Sequence, residues 1–354
     1  MGYEIDFLPV GDSNGDAICV RHGSPDAFYI HVIDGAFKDT GENIIKHIEA
    51  HYGKHVYINN MVLSHACNDH APGLIQVLER FDVKALWMNR PWLYAQQTLP
   101  SFHGRYTLPG LVQAMKDMHP YLIELEEIAA KKGTPVYEAF QGTKIGDFLV
   151  LAPSKARYIQ LIPDLDKTPQ SYTEKQGIVG AVVEALRSAA DSVKESWGIE
   201  TLDDNPPATS ASNETCVVQI GLFEGKRVLL TGDVGPQGLN EAADYAGANG
   251  ILSPPDFVQI PHHGSRRNVT PSVLNRWLGN PLPNRDTRRG TAFVSVGKDA
   301  DKYPRKKVKN AFMRRGYVVH ATRGVGKRHH KGFGVRTGWS EAIPEQFSED
   351  VGDE

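Results

Sequence analysis

The chain has 354 residues, 40% of them hydrophobic, enough for one large two-layer domain or two ordinary ones with a sizeable core. No window approaches the roughly 18 uninterrupted apolar residues that a membrane span requires, and the opening Met1-Gly2-Tyr3-Glu4-Ile5-Asp6 is neither a signal peptide nor a good myristoylation site. The net charge of −3 conceals an asymmetry: Pro261 to Gly332 holds 18 Lys or Arg against 3 Asp or Glu, so this part carries about +15 and the rest about −18.

Three cysteines, Cys19, Cys67 and Cys216, are too few and too scattered for a disulfide framework, which fits a reducing compartment. A cytoplasmic protein without membrane attachment is expected. The basic part could hold a polyanion, because Lys and Arg replace condensed counterions on phosphates. It could equally be a solvated surface paired with acidic elements elsewhere.

In chain order, Tyr3–Val10, Asp16–Val20 and Phe28–Ile33 alternate and are separated by Gly, Asn, Asp and Ser, which predicts an antiparallel meander. A helix is expected over Asn43–His51, then a strand ending at Ser64. Helix-like and strand-like segments follow at Leu74–Phe81 and Ala85–Met88. A helical stretch over Pro109–Lys132 should be kinked or divided at Pro120 and stopped by Gly133. Residues 163–212 read as an insertion: Ile178, Val182, Leu186, Ala189, Val193 and Trp197 recur at helical spacing, and Asp203–Ser210 is loop or linker. The apolar stripe of that helix is expected to dock on the domain or on a protein partner.

Strand rhythm returns at Cys216–Ile220 and Val228–Leu230, followed by a helix near Leu239–Tyr245 and strands at Phe257–Ile260 and Ala292–Val296. The second half thus repeats the character of the first, which predicts a sheet-on-sheet core with helices outside. The acidic end, Ser340 to Glu354, should fray.

Three apolar runs deliver metal-ligating side chains to their C-terminal ends. Met61–Ser64 leads into His65-Ala66-Cys67-Asn68-Asp69-His70, Leu230 leads into Thr231-Gly232-Asp233, and Ile260 leads into Pro261-His262-His263-Gly264-Ser265. Imidazole, carboxylate and thiolate are the ligands of zinc and related cations, so a shared metal centre is the leading explanation. Other histidines, among them His119, His320, His329 and His330, read as surface or core residues.

Taken in this order, with Gly15-Asp16-Ala17, Ile33-Asp34-Gly35, Gly73-Leu74 and Val294-Ser295-Val296-Gly297-Lys298, these clusters resemble the metallo-β-lactamase fold, an αββα sandwich with a metal site at the edge between two sheets. The likeness is to the ComEC-type branch, related to the nuclease-like domain of a DNA-uptake competence protein. It implies one domain over residues 1–335, with 163–212 as a helical insertion and 336–354 as an acidic tail.

Carried over position by position, the resemblance places His65 and Cys67 at a first metal position, Asp69 and His70 at a second, Asp233 between them and His263 completing the second. Cys67 stands where that branch has Asp, and the extra first-position His has no counterpart around Ser212-Asn213-Glu214-Thr215-Cys216. Cys67 is therefore either a soft ligand favouring Zn2+ over Mn2+ or Mg2+, or a small buried thiol beside a single ion. Asp69 and His262 would act on the substrate, His262 because imidazole exchanges a proton near neutral pH. Ser265, Lys298, Tyr303, Arg305 and Lys306 would bind substrate phosphate, while Asp16 and Asp34 would orient ligands and turns.

The expected activity is a metal-dependent phosphodiesterase, a nuclease on DNA or RNA, using a metal-activated water. Two alternatives stand beside it: hydrolysis of a small phosphodiester, nucleotide or lactone, and a catalytically degenerate scaffold subunit of a defence or DNA-processing complex. The family name does not imply antibiotic hydrolysis, because fold and function are separable.

Overall fold

Alternation along the first strand decides how the layers stack. In the computed structural model, which describes residues 1–102, 104, 106–169 and 194–352, strand β1 (Gly2–Phe7) is buried on both faces. Tyr3, Ile5 and Phe7 join an apolar cluster shared by two sheets, whereas Glu4 and Asp6 face the opposite side. β2 (Ala17–Gly23) and β3 (Phe28–Gly35) continue the expected antiparallel meander, with Ile5 opposite Val20 and Val20 opposite His31.

From β3 the pairing becomes parallel through β4 (Asn60–Val62), β5 (Leu86–Trp87) and β6 (Val136–Tyr137). The second sheet repeats this plan. β7 (Lys144–Ile145), β8 (Phe148–Ala152), β9 (Val218–Phe223) and β10 (Lys226–Leu230) are antiparallel. β11 (Phe257–Gln259), β12 (Gly290–Val294) and β13 (Tyr317–Ala321) then run parallel to β10. The last strand, β14 (Lys327–Lys331), returns to the first sheet beside β1.

The orders are β14-β1-β2-β3-β4-β5-β6 and β13-β12-β11-β10-β9-β8-β7, two mixed sheets face to face. Phe7, Phe257 and Phe293 pack edge to face in the layer between them. Each such ring stabilises the sandwich by about 1.5–3 kcal/mol relative to exposure. Helices Lys38–His51, Pro72–Arg80, Leu108–Asp117 and Pro120–Lys132 cover the first sheet, and Pro236–Ala248, Pro271–Leu278 and Lys306–Arg314 cover the second. The αββα sandwich is therefore the architecture of this chain. Among the described residues, no helix is long and apolar enough to cross a membrane.

Pro120 divides the predicted long helix in two, and Gly133 closes it with a left-handed φ of 69°. The helix expected over Ile178–Trp197 lies largely outside the described residues. Its described end, residues 194–197, is not helical but bridges Lys194 to Asp350 and Ser196 to Ile199, and Trp197 packs against Phe347 with the Arg285 guanidinium over both rings.

Two expectations are corrected. β14 was not anticipated, because Lys-Arg-His-His-Lys offers no apolar alternation; it is an edge strand held by backbone pairing and by Arg328 on the buried Glu4. The acidic end also does not fray within the described residues. Glu345 bridges Lys309 and Arg323, Ser348 exchanges two hydrogen bonds with Asn310, Glu195 N donates to Glu349 O, and Val351 is buried.

These pairs also redistribute the charge read from the sequence. Of the basic residues between 261 and 332, Arg276, Lys309, Arg314, Arg315, Arg323 and Arg328 form ion pairs with acids outside that stretch. Part of the basic field is thus internal to the fold.

Candidate metal centre

Parallel strands end on a common edge, and the three ligand clusters all follow parallel strands. The penultimate residue of β3 is Asp34, whose positive φ of 55° turns the chain sharply. Gly35 follows, where a Cβ would collide with the backbone of Leu74; its N–H donates to His70 O at 2.7 Å. The close approach seats the helix Pro72–Arg80 and the His65–His70 loop against the end of β3.

Asp34 is the hub of this seat. Its carboxylate accepts from Ser64 N at 2.7 Å, Ser64 Oγ at 2.6 Å and His70 Nδ1 at 2.7 Å. In the neutral imidazole the last bond keeps the His70 proton on Nδ1, so Nε2 is the nitrogen left to bind a metal. That Nε2 lies 3.3 Å from Asp233 Oδ2 and 3.9 Å from Asp69 Oδ2. From the second sheet, His263 is oriented in the same way: Nδ1 donates to Ser295 O at 3.0 Å, and Nε2 lies 3.7 Å from Asp69 Oδ2 and 3.8 Å from Asp233 Oδ2.

Ligand atoms of Asp69, His70, Asp233 and His263 therefore all lie within 4.8 Å of one another. His70 Nε2, His263 Nε2 and Asp233 Oδ1 are buried without a hydrogen-bond partner. Orphaned buried polar atoms are rare in folded proteins, and two imidazoles with two carboxylates are a donor set for a divalent cation. The residues fit such an ion.

The electrostatics agree. Burial pushes His70 and His263 downward, yet the surrounding carboxylates, Asp233 foremost, raise His70 well above the ordinary histidine range and His263 to about 9. Asp233 is driven upward by burial but held well below the usual carboxylate range by His262, His70 and His263. Carboxylates that draw protons onto buried imidazoles would equally draw in a cation.

The remaining predicted residues fall into distinct places. Asp16 is buried, accepts from Gln259 Nε2 at 2.9 Å, and is pushed up by burial to about 6. With Asp34 it forms a second carboxylate group around His70. His262 stands beside the four donors with Nε2 3.6 Å from Asp233 Oδ2 and its side chain 31% exposed. Ser265 is buried, and its Oγ accepts from Arg267 N.

The expected phosphate-binding loop lies against the His-His motif. Arg305 N donates to Gly264 O at 3.1 Å, a Cβ on Gly264 would strike Pro304, and the Arg305 guanidinium lies 4.9 Å from the Tyr303 ring centre. Lys306 begins the helix Lys306–Arg314. Lys298 is exposed, with its backbone bonded to Gly11.

His65 and Cys67 do not join the converging set. The His65 ring lies 4.3 Å from His70, its Nε2 is buried and unpartnered, and burial lowers it to about 4. Burial pushes the Cys67 thiol up to about 12.

Several positions went unread in the sequence. Asn268 is fully buried; its Oδ1 accepts from His262 Nδ1 at 2.8 Å while its Nδ2 donates to Asp233 O at 2.8 Å. Asn213 Nδ2 lies 3.2 Å from the same imidazole nitrogen. Gln259 Oε1 accepts from the backbones of Thr231 and Gly232 and so braces the turn that presents Asp233. The signal for Gln259 was a polar residue inside the apolar run Phe257-Val258-Gln259-Ile260. No comparable signal marks Asn268 or Asn213.

No family model matches the chain, and no curated protein matches it. Solved structures do. The metallo-β-lactamase fold protein YhfI from Bacillus subtilis matches at 10% identity and a TM-score of 0.38, covering 94% of this chain and 100% of that one. A metallo-β-lactamase from Cronobacter sakazakii, a HARLDQ-motif mutant, matches at 12% identity and 0.33, covering 70% and 74%. A candidate metallo-β-lactamase from Thermotoga maritima matches at 9% identity and 0.33, covering 72% and 87%. The likeness is one of fold class.

Proposed function

We propose that this chain is a metal-dependent hydrolase of phosphodiesters, with nucleic acid as its substrate class. The observation that carries the metal reading is the convergence of His70 Nε2 and His263 Nε2, both buried without a hydrogen-bond partner, on Asp233 Oδ2 with Asp69 beside them. A divalent cation held there, Zn2+ by its donors with Mn2+ or Mg2+ as alternatives, supplies Lewis acidity that activates water and offsets charge developing at phosphorus.

The protein groups divide the remaining work. Asp34 and Ser295 hold the two imidazoles in the tautomer that leaves Nε2 open. Asp69, with its side chain 32% exposed, is the carboxylate of the set that faces solvent and could accept a proton from the attacking water. His262 also faces solvent, and the Asn268 bond places its neutral-form proton on Nδ1; once protonated, Nε2 could donate to a phosphoryl or leaving-group oxygen. Arg305 is bonded to the His-His turn with Tyr303 under its guanidinium and Lys306 next in the chain, and Lys298 is exposed, so all four are offered as phosphate contacts.

Nucleic acid is favoured over a small ester by this basic loop, although six other basic residues between 261 and 332 are committed to ion pairs within the chain. One observation favours a degenerate scaffold instead: His65 and Cys67 remain outside the donor set. A protein partner docking through the 163–212 insertion belongs to that second reading.

The test is metal analysis of the purified chain paired with cleavage of plasmid, single-stranded DNA, RNA and a generic phosphodiester at rising salt. Cleavage of a polyanion should fall steeply with salt, whereas a small ester should respond mildly. The Asp69→Ala/His70→Ala variant should be inactive; cleavage surviving in it would sink the assignment. Less than one metal per chain, with no hydrolysis restored by any cation, would favour the scaffold.

A further inference from the structure

A cation of the protein's own is fastened to the loop that supplies Asp69 to the four-donor set. Lys167, half-buried, extends its Nζ to Ala66 O at 3.2 Å and to Asn68 Oδ1 at 2.5 Å, so it grips the loop that carries His65, Cys67 and Asp69. It lines a small cavity together with His65, Cys67, His119, Ser212 and Thr215. The space, about 20 Å3, suits a water molecule. Among the described residues on its wall, the His119 Nδ1 is taken up with Met115 O at 2.8 Å and the Ser212 Oγ already accepts from Asp166 N, while Lys167 brings a positive charge.

We propose that the centre is mononuclear and that the Lys167 ammonium provides the second positive charge, keeping another metal ion away from His65 and Cys67. This rests on the metal-centre reading above. Like charges a few ångströms apart in a partly buried site repel strongly, and a fixed ammonium bound to two loop oxygens cannot move away without breaking both bonds. The same ammonium interacts through space with the Asp69 carboxylate and could steady negative charge on a bound phosphodiester. Lys167 is a positioning residue in this scheme, acting through the charge and geometry of the loop.

The experiment titrates the full-length chain with Zn2+ and Co2+ and counts bound equivalents. Wild type should bind one equivalent and show no thiolate-to-cobalt charge-transfer band. Lys167→Ala should gain a second equivalent, at least about tenfold tighter than any second binding in wild type, together with that band. The band should vanish in Lys167→Ala/Cys67→Ala. Lys167→Arg should keep one equivalent, which separates charge from loop support, and thermal unfolding should show that each variant is folded.

Two equivalents with a thiolate band in wild type, or a single equivalent in folded Lys167→Ala, would overturn the inference and leave the metal centre intact. No bound metal in any form would instead overturn the reading on which it rests.

Discussion

Replacing Asp34 by Asn isolates the part of the site that sets histidine geometry. Asp34 is 1% exposed and accepts three hydrogen bonds, from Ser64 N, Ser64 Oγ and His70 Nδ1. Asn is nearly isosteric, and like Asp it tolerates the positive φ of 55° at this position, so the backbone need not shift. One amide oxygen can still accept from Ser64 N, and the Ser64 hydroxyl can turn to accept from the new NH2. His70 cannot adapt so simply. To face that NH2, its Nδ1 must release its proton, which moves to Nε2, the nitrogen 3.3 Å from Asp233 Oδ2. Binding a metal through Nε2 then requires an N–H set against an N–H, at about 1–3 kcal/mol. The expected result is metal affinity about 10–100-fold weaker, with metal-free stability changed by less than about 1.5 kcal/mol. Chelator-buffered Zn2+ titration reads the first, and urea unfolding in chelator reads the second. An Asp34→Asn protein that folds normally and binds Zn2+ within about twofold of wild type would refute the tautomer argument.

Further expectations follow from other contacts. In metal-free protein the carboxylates outweigh burial and raise His263 to about 9, above its ordinary 6.5, so its stabilisation is complete below about pH 6.5 and is lost as pH rises through 9. A metal must displace that proton, so apparent affinity should climb by up to about tenfold per pH unit across that window. A flat titration series would count against His263 as a ligand. For Asp6, burial pushes upward, but hydrogen bonds and charges from His47 and Arg336 hold it below the usual carboxylate range. Its contribution is present above about pH 4 and lost as the carboxyl is protonated, so Asp6→Asn should flatten the acid limb of a stability–pH curve. Asn268→Ala strips partners from His262 and from the carbonyls of Asp233 and Val234, and should cost about 2–4 kcal/mol by urea unfolding as well as activity. Arg314→Ala leaves buried Glu195 without its ion pair and removes donors to the carbonyls of Ser196, Trp197 and Ile199. A loss of about 3–5 kcal/mol is expected, with faster proteolysis after residue 194; a loss below about 1 kcal/mol would contradict the assigned role.

Much of the architecture was legible because its signals are local. The opening meander, the division at Pro120, the stop at Gly133 and the strands before Ser64, Asp233 and His262 each depend on a few neighbouring residues. β14 and the docked C-terminal segment were not legible. Their residues are polar, and they are ordered by partners hundreds of positions away: Arg328 on Glu4 and Arg336 on Asp6. The charge asymmetry left two readings open for the same reason, since a run of Arg and Lys does not reveal which members pair with distant acids.

Motif order and ligand chemistry determined which side chains could meet, and parallel strands ending on one edge brought Asp69, His70, Asp233 and His263 together. Tertiary structure alone decided which neighbours were excluded and why. A one-dimensional motif ranks His65 and Cys67 with the others. Convergence within 4.8 Å depends on how two sheets stack and on Asp34 and Ser295 turning particular imidazole nitrogens inward, while Lys167 crosses about a hundred residues of sequence to grip the loop.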